Sequence, residues 1–351
     1  MTMDVEDDDR PPVPQRRQAV MSDVGRLAGV SHQTVSRVIN GSRHVSPPTR
    51  ERVLSAMREL GYRPNSIARA LATGRTHTVG IVTFDTALYG PASTLFGIER
   101  AAHEAGYLIT VVSLTALDRA SVLQAVERLR MQGVDGILAI AAEQESAEAL
   151  LHAPLDVPLV AVEAGPERGI PVVGVDQRRG GELATRHLLE LGHQTVHHVA
   201  GPLGSIECQL RAGGWRCALE EAGAPRPEPL IGDWTARSGY HLGRRLTRDR
   251  SVTAVFASND QMALGILRAM HEAGRRIPDD VSVVGFDDVP EASYFTPPLT
   301  TVRQDFGEVG SRSLRVLLRA IDSVAAHERP PEGSLVAPEL VVRASSGPPE
   351  G

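Results

Sequence analysis

The feature that most constrains the fold is an alternation of short apolar runs with amphipathic segments that begins near His77. The amphipathic segments read as helices, and several end at a glycine that leads into the next apolar run, at Gly106, Gly133, Gly192, Gly223 and Gly274. The apolar runs read as strands: HTVGIVTF, YLITVVSL, VDGILAIAA, VPLVAVEA, VVGVD, VHHVAGP, AVFASND and VSVVGFDD. The pattern predicts an α/β body of two parallel-sheet halves, roughly 77–175 and 176–303.

Ligands of open parallel sheets bind beyond the carboxyl ends of the strands, so binding residues are expected just after each strand. Polar or aromatic side chains occupy such positions at Glu163, Ser205, Arg211, Trp234, Asn259, Asp287 and Phe306. Carboxylates, an amide and a guanidinium can hold several hydroxyls, while Trp and Phe can cover the apolar face of a pyranose. Any one of these residues alone is more typical of a cap or a turn, but their joint placement predicts a sugar site.

The block from Ala19 to Arg75 differs from the rest of the chain in charge. It has nine Arg against three acids, a local net charge of +6, whereas the whole chain has a formal net charge of −6. Three helices are predicted in it, namely Ser22–Ala28 with Ser22 as N-cap, Ser31–Ile39, and one from Ser46-Pro47-Pro48 to Gly61. An apolar set joins the first two: Val24, Leu27, Val30, Val35 and Val38.

With a tight turn at 28–30, this block reads as a helix-turn-helix. Its second helix presents His32, Gln33, Ser36 and Arg37 on the polar face, and such side chains reach base edges in a major groove. A small three-helix bundle with a solvated polar face is the alternative. The segment NSIARALATGR, which runs from Asn65 to Arg75, is either a plain linker or a marginal helix that orders on DNA.

Composition excludes several classes of protein. The chain contains no Lys, which excludes P-loop nucleotide binding and Schiff-base catalysis. It has two Cys and no metal-ligand spacing, so no metal and no cofactor are expected. There is no run of about 20 apolar residues and no apolar signal segment, so no membrane contact and a cytoplasmic location are expected.

From Val20 to about Arg343 the chain resembles the LacI/GalR family of bacterial transcriptional repressors. The resemblance is carried by VSHQTVSRVINGSRHVSPPTRERV, GYRPNSIARAL, AGPLGS, GDWTARSG, ASNDQMALG and SVVGFDDVPEASYFTPPLTTVRQDF, and it is weaker over 115–160. It implies an all-α helix-turn-helix head on an α/β body like that of periplasmic binding proteins, with two parallel-sheet subdomains. It also implies a homodimer that binds a near-palindromic operator and a small-molecule effector.

These patterns together predict the following domain organisation. A disordered acidic tail at 1–18 precedes a DNA-binding domain at 19–64, a hinge helix and linker at 65–76, an effector-binding and dimerisation domain at 77–343, and a disordered tail at 344–351. The last domain divides into an N-subdomain, 77–175 plus about 306–333, and a C-subdomain, 176–305 plus about 334–343.

The resemblance also assigns roles to individual residues. For the operator it implies base contacts from His32, Gln33 and Arg37, phosphate contacts from Ser31, Thr34 and Asn40, a Leu71 wedge in the central base step, and further DNA contacts from Ser36, Asn65 and Ala68. For the effector it implies Leu88, Pro91, Glu163, Ser205, Arg211, Trp234, Asn259, Asp287, Gln304 and Phe306. Ile140, Glu163 and Glu207 depart from the family's lactose-responsive pattern, as does His32 in the head, which leaves the sugar and the operator open.

The function implied is a sequence-specific repressor that a small sugar, such as a galactoside, releases from its operator. A corepressor such as a purine, or a non-lactose sugar, is the alternative.

A sugar-transport protein would need an export signal and would lack the first block. A glycosidase would need two carboxylates flanking one bond, and the neighbouring Asp287 and Asp288 are expected to point to opposite faces of a strand, so no catalytic residue is assigned. The end VVRASSGPPEG has no leucine heptads, which favours a dimer over a tetramer.

Overall fold

The structure, a computed structural model, describes residues 19–39, 44–62, 70, 74–84, 87–114, 118–151, 156–164, 169–326 and 332–349. The chain divides between Thr76 and His77 into two compact units, called here the head and the body. The acidic tail predicted at 1–18 lies outside the described residues, as do the hinge helix and linker predicted at 65–76 apart from Ala70 and 74–76. No helix in the described part of the chain is both long enough and apolar enough to cross a bilayer.

The head contains the three predicted helices. They span Met21–Ala28 (α1), His32–Ile39 (α2) and Pro47–Glu59 (α3). Their buried core consists of Val24, Ala28, Val35, Val38, Val53 and Ala56. Leu27, which the apolar pattern placed in this core, is 46% exposed. Val24 and Ala28 are four residues apart and define the inward face of α1, and Leu27 lies about 100° around the helix from Ala28.

The first helix begins one residue earlier than predicted. Val20, not Ser22, is its N-cap, and the Val20 backbone N–H donates to Asp23 Oδ2 at 3.0 Å. Asp23 therefore satisfies the cap from inside the helix, and the Ser22 hydroxyl is not needed there. Ser31 does cap α2 as predicted, since its Oγ accepts from the Thr34 N–H at 3.2 Å.

The body contains two six-stranded sheets, one in each of two lobes. The first sheet is formed by Thr78–Phe84 (β1), Leu108–Leu114 (β2), Gly136–Ile140 (β3), Leu159–Val162 (β4), Val172–Val175 (β5) and Ser334–Val336 (β11). The second is formed by His197–Ala200 (β6), Leu230–Ile231 (β7), Ala254–Ala257 (β8), Ser282–Asp287 (β9), Thr300–Arg303 (β10) and Glu339–Val341 (β12). Every strand pair is parallel except β10 with β12.

Helices cover the faces of these sheets. In the first lobe they span Tyr89–Glu104 (α4), Arg119–Met131 (α5), Gln144–Leu150 (α6) and Phe306–Ala326 (α11). In the second lobe they span Gln177–Glu190 (α7), Ile206–Glu221 (α8), Ala236–Leu246 (α9) and Asp260–Glu272 (α10), with a 3₁₀ turn at Pro290–Tyr294. The predicted fold class, a helical head with a body of two parallel-sheet subdomains, is confirmed.

The chain passes between the lobes three times, after β5, after β10 and after β11. The strand orders are β11-β5-β4-β3-β1-β2 and β12-β10-β9-β8-β6-β7. The three crossings lie side by side, because the Asp176 N–H at the first donates to the Val336 carbonyl at the third at 2.9 Å, and Gln177 at the first donates to Gln304 at the second at 2.8 Å. The third crossing follows Val336 rather than residue 333, because Ser334–Val336 pairs with Val173–Val175 in the first sheet.

The end of the chain packs against the second lobe, so the prediction of a disordered tail at 344–351 is wrong for residues 344–349. Ser345 is fully buried. Its hydroxyl donates to the Val283 carbonyl at 2.6 Å and accepts from the Thr300 N–H at 2.8 Å. The Gly347 carbonyl accepts from the Ser282 hydroxyl at 2.9 Å. These bonds satisfy backbone and hydroxyl groups of β9 and β10 that would otherwise be buried without partners.

Candidate operator-binding face and effector cavity

The second helix of the head presents a polar face with an apolar back. Val35 and Val38 are buried in the head core, while His32, Gln33 and Arg37 are exposed. Ser31 and Thr34 stand at the start of this helix, with 3.0 Å between their hydroxyl oxygens. The structure therefore places the three predicted base-reading side chains on one accessible surface. The predicted DNA contacts at Asn40, Asn65, Ala68 and Leu71 lie outside the described residues.

The geometry of the turn before this helix depends on two glycines. Gly29 has φ 63°, a left-handed conformation that favours glycine, and the Val30 N–H donates to the Gly25 carbonyl at 2.9 Å. A Cβ on Gly25 would lie 3.0 Å from the Val30 carbonyl oxygen, tighter than ordinary contact. The two helices can approach this closely because Gly25 lacks a side chain, whereas Gly29 supplies the left-handed backbone of the turn.

Arg50 supports α2 from α3. Its Nη1 donates to the Val38 carbonyl at 3.4 Å, at the end of the recognition helix where carbonyl groups lack helical partners. A positive charge there also complements the helix dipole. Arg50 therefore has a structural role in the head besides any contact it makes with a phosphate.

A cavity of about 250 Å³ lies between the two lobes of the body, where strands of both sheets end. Predicted effector residues lining it are Leu88, Pro91, Ser205, Arg211, Trp234, Asn259, Asp287 and Gln304. Polar or aromatic residues lining it that the sequence reasoning missed are Tyr89, Glu143, Thr235 and Gln261. Glu143 comes three residues after β3, so the strand-end rule that found the others could also have found it.

Arg211 is the centre of the polar network beneath the cavity. Its side chain is 2% exposed. Nε donates to Gln177 Oε1 at 2.8 Å, and Nη1 donates to the Ser258 carbonyl and lies 3.7 Å from Asp287 Oδ1. The guanidinium also lies 3.8 Å from the centroid of the Phe286 ring, which supports it from below. The guanidinium is thereby fixed in one orientation before any ligand arrives.

A chain of side-chain hydrogen bonds extends this network within the second lobe. Gln304 Nε2 donates to Asp287 Oδ1 at 2.7 Å, and Gln177 Nε2 donates to Gln304 Oε1 at 2.8 Å. Burial raises the pKa of Asp287 to about 7, although Arg211 acts in the opposite direction. Asp287 therefore titrates near neutral pH, and a ligand that donates hydrogen bonds to it would favour its ionised form.

Trp234 forms an apolar wall of the cavity. The residue has φ 71° and follows β7. A Cβ on Gly201 would lie only 2.4 Å from Trp234 Cη2, so the indole lies directly on the glycine backbone. The ring is half-buried and lines the cavity, with the Arg211 guanidinium 5.6 Å from its centroid, and an indole there can cover the apolar face of a sugar.

Asn259 holds Trp234 in place as well as lining the cavity. Its Oδ1 accepts from the Met262 N–H at 2.9 Å and caps α10, while its Nδ2 donates to the Trp234 carbonyl at 2.9 Å. Both ends of the amide are thus engaged within the protein. The geometry supports a positioning role at least as well as the predicted direct contact with a hydroxyl.

Two predicted effector residues do not line this cavity. Phe306 is 7% exposed and packs edge-on against Tyr89, with ring centroids 5.8 Å apart, so it lies one layer behind the wall. Glu163 lies along β5, where a Cβ on Gly174 would be 3.0 Å from its Oε2. It lines a neighbouring cavity instead, with Glu207 shared between the two cavities.

Glu163 is a buried carboxyl with an incomplete set of partners. Oε2 accepts from the Val175 N–H at 3.2 Å and from Gln177 Nε2 at 3.4 Å, while Oε1 has no hydrogen-bond partner. Burial, and then the nearby Glu207 carboxylate, raise the pKa of Glu163 to about 8. The folded protein therefore retains a proton on Glu163 that the unfolded chain releases near its ordinary pKa of 4.5.

We expect Glu163→Gln to remove a pH-dependent loss of stability. A raised carboxyl pKa means that stability falls as pH rises from about 4.5 toward 8, and an amide does not titrate. We compare the free energy of unfolding of the variant with that of wild type. This difference should favour the variant by about 1 kcal/mol or more at pH 8 relative to pH 5. Denaturant unfolding followed by tryptophan fluorescence measures this, because both Trp residues lie in the body. The exposed Glu104→Gln is the control, and an equal effect of Glu163→Gln at both pH values would contradict the prediction.

Comparison with known protein families gives two matches along the chain. The profile described as "Bacterial regulatory proteins, lacI family" matches residues 20–65, which include the whole recognition helix. A profile described as "Periplasmic binding protein-like domain" matches residues 185–346.

Individual proteins are similar over most of the chain. The lactose operon repressor of Escherichia coli (strain K12) is 36% identical over 305 residues, which cover 86% of this chain and 85% of that protein. The transcriptional repressor PurR of Haemophilus influenzae (strain ATCC 51907 / DSM 11121 / KW20 / Rd) is 35% identical over 333 residues, covering 93% and 98%. Among solved structures, a Lac repressor dimer bound to operator and the anti-inducer ONPF superposes with a TM-score of 0.80 at 34% identity, covering 94% and 100%.

Proposed function

The chain belongs to the lacI family of bacterial regulatory proteins, and we propose that, as a DNA-binding repressor controlled by a small molecule, it responds to a sugar inducer. The observation that carries the proposal is the cavity between the lobes, where the indole of Trp234 lies beside the fixed Arg211 and Asp287. A flat aromatic wall next to oriented charged groups suits a ligand with one apolar face and a rim of hydroxyls.

The head supplies sequence recognition. The exposed Arg37 can form a bidentate contact with guanine, and Gln33 can do so with adenine. Ser31 and Thr34, at the start of the recognition helix, can hold a phosphate together with the helix N-terminus. One helix-turn-helix reads one half-site, and the solved relative binds its operator as a dimer, so two copies of this chain on a near-palindrome complete the complex.

We expect Arg37→Ala to weaken binding to the specific operator by roughly 10- to 100-fold, because a bidentate base contact is worth about 1–3 kcal/mol. Binding to unrelated DNA should change much less, since Arg37 reads bases. Fluorescence anisotropy on both DNAs at one salt concentration measures the two affinities. Arg52→Ala, an exposed arginine on α3, is the matched control, and it is preferable to Arg50→Ala because Arg50 also bonds the Val38 carbonyl. Equal losses on both DNAs for Arg37→Ala would remove Arg37 from base reading.

The cavity is placed to couple ligand binding to the arrangement of the lobes. It is lined from the first lobe by the Leu88–Pro91 segment and Glu143 and from the second by Ser205, Arg211 and Asp287. A ligand that contacts both sides favours one relative position of the lobes over another. A difference in affinity of about 5.5 kcal/mol between two states reverses a 99:1 population, so a small ligand is sufficient.

The test is an operator-binding titration against a panel of neutral sugars, galactosides and purines. Release of the operator by a sugar would support the proposal. Tighter operator binding on addition of a purine would contradict the sugar proposal and support a corepressor mechanism. The similarity to PurR is the reason for including purines in the panel. The relatives named above are transcriptional repressors, and we propose likewise that this protein is not an enzyme and acts on nucleoid DNA in the cytoplasm.

A further inference from the structure

Four carboxyl groups and one guanidinium lie in and beside the effector cavity. Glu143, Glu207 and Asp287 line the cavity, and Glu163 lies behind Glu207. Arg211 is the one basic residue among the described residues that line it. Repulsion from Glu207 contributes to the raised pKa of each of the other three, so Glu207 lies within electrostatic range of all of them.

Arg211 cannot neutralise this group by itself. Its nitrogens are already engaged by Gln177 and the Ser258 carbonyl, Glu207 Oε2 lies 3.4 Å from Nη2, and Asp287 Oδ1 lies 3.7 Å from Nη1. Glu143 has no such contact with it. The pKa of each of the four carboxyl groups is therefore raised, to about 7 for Asp287 and about 8 for Glu163, and a ligand cation would favour their ionised forms.

Glu143 and Glu207 line the cavity from opposite lobes. Glu143 precedes α6 in the first lobe, and Glu207 lies in the first turn of α8 in the second. The backbone holds these segments together, because the Ile206 N–H donates to the Ala142 carbonyl at 2.9 Å and the Gln144 N–H donates to the Gly204 carbonyl at 3.2 Å. The fold thus brings two carboxyl groups into one partly buried cleft, where burial raises the pKa of both, and a cation between them would stabilise their ionised forms.

We propose that the effector carries a protonated amine that binds between Glu143 and Glu207, so that the ligand is an amino sugar rather than a neutral one. An ammonium group has three donors, which suits two carboxylates and one further acceptor. Trp234, Asp287 and Arg211 remain available for the sugar ring and its hydroxyls. This inference rests on the proposed function, in which the cavity takes a sugar.

A metal ion fits this position less well than an ammonium group. No group of three or more His, Cys, Asp or Glu side chains in the described parts of the chain is arranged to hold a metal. A calcium ion would need six to eight oxygen ligands, and two carboxylates from opposite lobes provide too few.

The position of the amine also accounts for the coupling between ligand and lobes. Without a cation, repulsion between Glu143 and Glu207 opposes contact between the lobes at this point. With an ammonium group between them, the same two carboxylates draw the lobes together. An amino sugar therefore has a differential affinity for the arrangement in which 142–144 and 204–206 are in contact, which a neutral sugar lacks.

The test is isothermal titration calorimetry on the full chain, in buffers containing EDTA. The probes are D-galactosamine, D-glucosamine and 6-amino-6-deoxy-D-galactose, each compared with its neutral parent sugar, and the first two also with their N-acetyl derivatives. We expect at least one amine to bind about tenfold or more tightly than its neutral counterparts. In the Glu143→Gln/Glu207→Gln double variant this preference should vanish, while the weaker binding of the parent sugar remains and shows that the cavity is intact.

Glu145→Gln is the matched control, because Glu145 is an exposed acid two residues from Glu143 and does not line the cavity. It should keep the full preference. If a neutral sugar binds wild type as tightly as its amine does, the amine inference is wrong and the sugar proposal stands. The same holds if the preference for the amine survives in the double variant. If every sugar fails and a purine binds, the proposed function itself is wrong and the inference falls with it.

Discussion

A fragment that begins at His77 is expected to lose operator binding completely and to keep its effector affinity. The boundary between the two compact units lies at this residue, and the whole recognition face lies before it. The distribution of charge also predicts the loss of DNA binding. The chain after Thr76 has 25 Arg and 35 acids, a net charge of −10, whereas residues 19–75 have a net charge of +6. A fragment of that charge cannot gain affinity by releasing counterions from DNA.

Electrophoretic mobility shift and calorimetry on the fragment and the full chain measure the two activities side by side. The fragment should retain the native start of β1, where the His77 N–H donates to Asp135 Oδ2 at 2.9 Å. Effector affinity within a factor of about two of the full chain would show that the body is intact, since that is about 0.4 kcal/mol. Any sequence-specific operator binding by the fragment would show that the DNA-binding surface has been assigned to the wrong unit.

Asp287→Ala is expected to abolish the effector response while operator binding persists. The carboxylate is 7% exposed, accepts from Gln304 and faces Arg211, so its loss removes a ligand acceptor and disturbs the guanidinium at once. Charge-assisted hydrogen bonds are worth about 1.5–3 kcal/mol each, so effector affinity should fall by roughly a hundredfold or more. The measurement is the effector concentration that half-releases a labelled operator.

Asp288 provides a matched control for this substitution. Its side chain does not line the cavity, although the backbone at Asp287 and Asp288 has φ 110° and 53° and is not the extended strand that was expected. It accepts from Arg303 Nε at 2.7 Å and from Arg343 Nη2 at 2.6 Å. Asp288→Asn should lower stability and leave the effector response unchanged. Normal effector affinity in Asp287→Ala would exclude Asp287 from the binding site.

The sequence was sufficient for the architecture because the architecture depends on local patterns. Apolar runs separated by helices that end at glycine indicate parallel strands. The rule that ligands bind beyond strand ends identified five residues that line the cavity, namely Ser205, Arg211, Trp234, Asn259 and Asp287. The rule gives a backbone position, and it does not give the direction of the side chain. Glu163 has φ 57°, and its carboxyl lies against Gly174. No pattern in the sequence predicts that backbone conformation.

Other differences come from partners that are distant in the sequence. The segment after Arg343 reads as a tail because it is polar and rich in proline, but Ser345 is buried against Val283 and Thr300, which lie more than forty residues away. Tyr89 lines the cavity from the start of α4, supported by Phe306 from the far end of the body sequence. Periodicity cannot reveal such pairs, because their contact depends on how the lobes close around each other.

The three crossings between the lobes lie side by side, and this fixes the kind of motion available to the body. Three short links in a row act as a door hinge, which permits rotation about one line and resists twisting and sliding. Displacement then grows with distance from that line, and the strands furthest from it are β2 and β7, at the opposite edges of the sheets. Five strand spacings of about 4.8 Å separate the edges, so a rotation of about 5° displaces the far edge by about 2 Å. The residues that travel furthest on ligand binding are therefore those at the free margin of each sheet.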